Sequence, residues 1–259
     1  MANIPQDKAG SQVAIDIDSS VIARLDDLDP DRMRAARLAD PDIRDSLFAL
    51  YAFHAELAKI PELVSEPMMG QIRYQWWRDC LGEIYTGKPV RQHEVAKPLA
   101  QMIDQTGMSR FTLDRIIDGL ERDLDPRPFE TLDAAIAYAD ATSGALARAA
   151  VAICGGEDGL EAGRAWGLTG LARGYRYYAD GMLKGLDFSD ILKAAEDAYG
   201  NARQKKTKQA LPALAYLGLV PGFIKRMRAS DYDPKQNVPS YQPFAKQLKL
   251  LKVVATGRL

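Results

Sequence analysis

Apolar positions in this chain return every third or fourth residue almost from end to end, and nowhere alternate over a useful length. After Pro41 one face is marked by Ile43, Leu47, Leu50, Tyr51, His54 and Leu57, and after Pro67 another by Met68, Ile72, Trp76, Leu81 and Ile84. This is the period of a helix face, not of a strand. The same spacing predicts further helices over 93–106, 109–124, 131–154, 158–183, 189–207, 210–229 and about 241–256. Asp29-Pro30 and Asp40-Pro41 read as N-cap followed by an N1 proline. Pro67 starts a helix with Ser65 near its cap, and Gly87 ends it. There is no internal repeat and no Ser- or Gly-rich linker, and "DPRPFE" (125–130) and 231–243 read as connections. With 259 residues, 47% of them hydrophobic, the chain can bury a large core. The expectation is one all-α domain over 29–259, preceded by an N-terminal extension, 1–28, that is partly disordered.

Two cysteines, Cys80 and Cys154, without a CxxC, fit a reducing compartment. The first twenty residues have no basic n-region followed by an apolar core, and they carry acids, so no targeting peptide is expected. No run is long and apolar enough to span a bilayer. A cytoplasmic protein is expected, one that could sit peripherally on the inner face of a membrane. The net charge of -1 conceals an asymmetry: residues 203–259 hold twelve Lys and Arg against only Asp231 and Asp233. Lys246, Lys249 and Lys252 recur there at helical spacing among Leu248, Leu250, Leu251 and Val253. Such a segment suits an anionic membrane surface or a diphosphate, or else covers an acidic part of the same protein. Nothing points to nucleic acid.

Familiar catalytic patterns are missing. His93-Glu94 is followed by Lys97, so the second ligand of an HExxH zinc site is absent. No phosphate-cradling glycine loop follows a strand. With only two histidines, a Ser or Cys nucleophile has little choice of base, and His54 lies on an apolar helix face. Carboxylates at helical spacing occur as Asp114 with Asp118 and Asp187 with Asp190. Such pairs can hold Mg²⁺, but "RIIDGLERDLDP" mixes both signs as a solvated face does.

"IRDSLFALYAF", "IIDGLERDLDPRPFETLDAAIAYADATSGALARAA" and "QALPALAYLGLVPGFIKRMRASDYDP", in that order, resemble the squalene/phytoene synthase family over roughly residues 30–255. The resemblance implies an isoprenoid-synthase-like helical bundle around an apolar cavity. It also implies enzymes that join two prenyl diphosphates head to head, using Mg²⁺ held by two Asp-rich motifs. Placed on this sequence, the first motif, DDxxD, falls on Ala58, Lys59, Ile60, Pro61 and Glu62, and the second, DxxxD, on Tyr178 to Met182. Both leading aspartates of the first are gone, and neither end of the second is acidic. "LKGLDFSDIL" stands where a basic loop ending in Tyr-Leu-Pro would follow. Ionising a diphosphate needs its charge neutralised, and these residues cannot do that in the family's way.

"AFHAELAKIPELVSEPMMGQIRYQWWRDCLGEIY" is similar to a divergent branch that includes the family's mitochondrial respiratory complex I assembly factor. The shared features are "ELA", Val64-Ser65-Glu66, Gly70 with Arg73, Trp76-Trp77-Arg78 and the "LARG" of 171–174. This resemblance implies a non-catalytic, membrane-peripheral assembly factor, with complex I subunits or assembly intermediates as partners. A lipid or isoprenoid would occupy the old cavity, and no resident cofactor is implied. The alternative is a prenyltransferase with non-standard site residues, which would need Mg²⁺. Candidate binding residues are Tyr51, Arg73, Trp77, Asp118, Asp123, Arg173, Arg176 and Tyr177, with Asp114 as a further carboxylate in the enzyme case. No catalytic residue or metal ligand is assigned. Three structural expectations accompany these. Trp76 and Trp77 should face differently. "SGALARAA" (143–150) and "GLTGLARG" (167–174) should face inward, either packing closely or leaving cavity space. Arg173, Arg176, Asp180 and Lys184 should form a ladder on one helix, opposite the face of Ala58 and Glu62, with Asp180 paired to Arg176 or Lys184.

Overall fold

The computed structural model describes residues 14–205 and 208–259. Among these there is no strand. The helices are α1 (Ser19–Leu28), α2 (Pro30–Ala36), α3 (Pro41–Ala58), α4 (Pro67–Tyr85), α5 (Ala96–Thr106), α6 (Arg110–Glu121), α7 (Leu132–Ala139), α8 (Ala145–Ile153), α9 (Leu160–Arg173), α10 (Tyr175–Tyr178), α11 (Phe188–Arg203), α12 (Leu211–Leu214), α13 (Val220–Met227) and α14 (Pro243–Thr256). Short 3₁₀ turns at Ile60–Leu63, Arg122–Leu124 and Ala215–Leu219, and a π-helical turn at Asp140–Gly144, join some of them. No helix of the described residues is long and apolar enough to cross a membrane.

The proline signals work as read. Asp29 caps α2, its carboxylate accepting the Arg32 N–H, with Pro30 in the first turn. Pro41 opens α3, although the Asp40 side chain makes no capping bond. Glu66, not Ser65, is the N-cap of α4. Gly87, at φ 69°, follows the end of α4 in the left-handed region that glycine enters without steric cost. α1 packs against α3 with Val21 and Leu25 buried, so helical packing begins ahead of residue 29. The rest of the proposed extension, residues 1–13, lies outside the described residues.

Three of the long helices expected from periodicity are each divided. The 131–154 block passes through the π turn, 158–183 breaks at Gly174, and 210–229 contains the 3₁₀ segment. The π turn sits where backbones crowd. A Cβ on Gly119 of α6 would lie 2.1 Å from the Ala141 carbonyl oxygen, and one on Gly163 of α9 would lie 2.3 Å from that of Ser143. Gly167 packs similarly on Ala139 and Ser143. The small residues of 143–150 and 167–174 therefore serve close helix approach. The main pockets of the described residues are open grooves at the surface, lined in part by charged side chains. An enclosed central apolar cavity is not among them.

The core runs through α3 (Leu47, Leu50, Phe53, Leu57), α4 (Tyr74, Leu81), α6 (Leu113, Ile116, Ile117), α9 (Leu168) and the C-terminal Tyr216 and Phe223, all essentially inaccessible. Tyr74 donates from its hydroxyl to the carbonyls of Leu57 and Leu120, 3.2 and 2.9 Å away, tying the end of α3 to that of α6. Trp77 is buried edge-on against Phe53 at 5.3 Å. Trp76 is half-buried, with Arg91 over its ring at 5.0 Å. The neighbours thus differ in burial, while their rings meet edge-on at 5.0 Å and both pack on His93.

Candidate functional site

Asp31 and Arg32, only 4% and 5% exposed, are the charged residues of the core among those described. They come from the first turn of α2, which the capped Asp29-Pro30 start aims into the bundle. Arg32 donates to the Asp29 carboxylate at 2.5 Å, and its guanidinium lies over Tyr216 (5.3 Å) and Trp166 (6.0 Å). Burial works against its charge, but the charge and hydrogen bond of Asp29, together with Tyr216 and Tyr51, outweigh that and hold its pKa above the ordinary value. Asp31 accepts both hydrogen bonds from Lys246 of α14, each 2.9 Å, and meets Arg34 at 3.3 Å. One burial thus joins an early helix to the last one.

Around this pair stand Tyr51, His54 and Arg173. The Tyr51 hydroxyl is buried without a hydrogen-bond partner, and burial holds its pKa well up. Burial, then the charge of Arg32, pushes His54 down to about 3, so its imidazole is neutral at physiological pH. Arg173, at the end of α9, lies over Phe223 at 4.2 Å and Trp166 at 5.8 Å. Its Nε is buried with no partner, and burial lowers its pKa despite the fields of Asp31 and Asp29. A cation on aromatic faces keeps a favourable contact, while its unpaired donor remains able to take an anion.

The remaining candidate residues lie elsewhere. Arg73 is exposed on α4 and Trp77 is core. Asp118 is held by Arg78 at 2.8 Å, and Asp114 by Arg110 at 3.2 Å. Asp123 accepts from the Tyr138 hydroxyl at 2.7 Å, and burial pushes its pKa up to about 6. Arg176 reaches the Gln236 carbonyl and lies over Tyr177, both on an exposed turn. The expected ladder is therefore corrected: α9 ends at Arg173, Gly174 separates it from α10, and Asp180 makes no ion pair among the described residues. Asp187 caps α11 through the Ser189 N–H, and Asp190 lies on its exposed first turn.

At the positions where the resemblance places acidic motifs, Lys59 meets Glu56 at 3.9 Å, and Glu62 is exposed. Glu62 and Asp123 both act on Tyr178, whose pKa is raised first by burial. Glu62, in the 3₁₀ turn after α3, thus lies within electrostatic reach of Tyr178 in α10. Among the described residues no group of three or more His, Cys, Asp or Glu could hold a metal ion. What sequence reasoning missed is the cluster of Asp29, Asp31, Arg32, Trp166, Tyr216 and Phe223. Its single local signal was the charged first turn of a short helix.

A family model described as squalene/phytoene synthase matches residues 25–182. Among curated proteins, the chain is similar to NADH dehydrogenase (ubiquinone) complex I, assembly factor 6. It is 26% identical to the Bos taurus protein over 82% of this chain and 71% of that one. To the Homo sapiens protein it is 26% identical over 82% of this chain and 68% of the other. Among solved structures, a dehydrosqualene synthase superposes with a TM-score of 0.71 at 14% identity, covering 92% of this chain and 95% of the other. The squalene synthase HpnC from Alicyclobacillus acidocaldarius superposes at 0.66 and 14% identity, covering 81% and 92%. These structural likenesses show the fold.

Proposed function

Because the chain belongs to the squalene/phytoene synthase family, yet carries Ala58 and Lys59 where the resemblance places that family's first metal-binding aspartates, we propose that it is a non-catalytic member serving in the assembly of respiratory complex I. The loss of those carboxylates is the observation that carries this reading. A diphosphate leaving group needs a divalent cation or equivalent positive charge held against it, and Lys59 already faces Glu56. The names borne by the full-length relatives supply the partner: complex I subunits or assembly intermediates. The reading places the protein at the inner face of the membrane, attached peripherally through its basic C-terminal region. A lipid or isoprenoid, if one is carried, would enter beside Arg173, whose guanidinium has an unpaired nitrogen.

Head-to-head prenyl transfer with Mg²⁺ is the second reading. It would have to recruit Asp118 and Asp123, which Arg78 and Tyr138 engage. Thermal melting with farnesyl diphosphate, with and without Mg²⁺, separates the two. A Mg²⁺-dependent rise in Tm supports the enzyme and overturns the assembly reading. In cells lacking the protein, the assembly reading expects less complete complex I on native gels, restored by the wild type and by an Asp118→Asn, Asp123→Asn double variant. Normal complex I in those cells overturns it.

A further inference from the structure

Helix α14 is apolar on two opposite sides. Leu250 and Val253 are buried against the body, where Val253 presses on Gly218. On the far side Phe244, Leu248, Leu251 and Ala255 follow at i, i+4, i+7 and i+11, within about 60° of arc at ~100° per residue. Phe244, Leu248 and Leu251 are 70%, 53% and 57% exposed. A helix that only covered the body would carry polar residues there.

Beside this stripe runs a groove of about 400 Å³ between the end of α11 and α14, lined by Tyr199, Arg203, Gly218, Lys249, Lys252 and Arg258. No Asp or Glu side chain lines it. Several nearby cations are paired: Lys246 with Asp31, Arg226 with Asp231, Arg228 with Glu196 and Lys205 with Asp158. The four in the groove form no ion pair among the described residues. Arg203 rests on the ring of Tyr199 and Lys249 on that of Tyr241. Beyond Asp233 the sequence contains no acid. The chain has thus left four cations without an ion pair along one flank of α14, Lys252 about 70° and Lys249 about 130° round the helix from an apolar stripe that faces outward.

We propose that this face binds an anionic phospholipid bilayer. Phe244, Leu248 and Leu251 enter the boundary between headgroups and acyl chains, while Arg203, Lys249, Lys252 and Arg258 engage lipid phosphates. An apolar stripe flanked by basic residues is the pattern of a helix lying in the interface plane. A nucleic acid would satisfy the cations but leave the Phe and Leu side chains in water. The bilayer satisfies both, and basic residues near an anionic leaflet are attracted to it individually. The inference rests on the membrane-peripheral part of the proposed function and names the surface that would carry it.

The experiment is flotation of the purified full chain with phosphatidylcholine vesicles, and with the same vesicles doped with phosphatidylglycerol. Binding is expected only to the doped vesicles and should weaken as salt screens it. A Lys252→Glu, Arg258→Glu double variant should bind at least ~25-fold more weakly, at about five-fold per charge removed. Leu248→Ser with Leu251→Ser should lose roughly tenfold or more. These side chains are exposed, so Tm should hold; should the leucine pair fail to fold, Phe244→Ser reads the same stripe. Binding to neither vesicle, equal binding to both, or variants that bind like wild type would each overturn the proposal. Capture of an acidic protein without vesicle binding would do the same. Because only protein and lipid are present, failure here leaves the complex I reading standing, and failure of that reading in cells leaves the flotation result standing.

Discussion

Glycine admits both α9 and α14 to the body of the protein, but on opposite terms. In α9 the glycines belong to the arriving helix and meet backbone: Gly163 lies on the Ser143 carbonyl, and a Cβ on Gly159, just ahead of the helix, would stand 2.6 Å from that of Ala147. At α14 the glycine belongs to the receiving segment. Gly218 accepts a methyl of Val253, and the rest of the attachment includes Leu250 and the Lys246–Asp31 pair. Backbone against backbone cannot relax, whereas a side chain can turn aside. The first contact locks two backbones together inside the bundle. The second fixes a helix while leaving its outer face free.

The largest expected effect tests that rigidity. Gly163→Val should cost about 4 kcal/mol or more, because its branches must displace the π-turn backbone. Gly218→Ala should cost under about 1.5 kcal/mol, since Val253 can adjust. Urea denaturation of the two variants measures the difference, and equal losses would break the comparison.

A smaller effect concerns pH on the α9 side, where α7 packs and its Tyr138 holds Asp123. The folded pKa of Asp123 is raised to about 6 from an ordinary 3.8. The folded form therefore keeps its proton where the unfolded form has lost it. Its contribution is fully present below about pH 4 and lost as pH rises to about 6, amounting to about 2–3 kcal/mol. Asp123→Asn should flatten that part of the stability–pH curve, and an unchanged slope would count against it.

The smallest effect belongs to α14. Lys246→Met keeps an apolar stem but removes the ammonium that lies over Phe223 at 5.8 Å and leaves Asp31 with Arg34 alone. Removing one partner of a buried pair is costly. The surviving Arg34 contact should limit the loss to about 1–2 kcal/mol, readable by chemical denaturation. A double-mutant cycle with Asp31→Asn should recover part of it.

The helices were legible because their cause is local. Apolar period, Asp-Pro starts and the glycine after α4 act within a few residues of themselves. Where the resemblance places the first acidic motif, the sequence also shows Ala58 and Lys59, side chains that cannot bind Mg²⁺ in any surroundings. The interruptions were not legible, because the π turn answers to Gly119 and Gly163, which are distant in sequence. Arg173 and Arg176 share a helical spacing, yet the break at Gly174 sends one onto Phe223 and Trp166 and the other to the surface. The proposed binding residues likewise divide among core, α4–α6 surface and an exposed turn.

Lys246, Lys249 and Lys252 show the same division in miniature. The sequence by itself determined that they recur along one helix, that acids are absent around them, and that apolar residues fall between them. Only the tertiary structure decided that Lys246 turns inward to Asp31, 215 residues away, while Lys252 remains in the groove. Helical period follows from backbone geometry, which every residue carries with it. A charged side chain's role follows from the field of its neighbours, and for Lys246 those neighbours are brought together only because α2 and the last helix both pack on the Ala215–Leu219 segment.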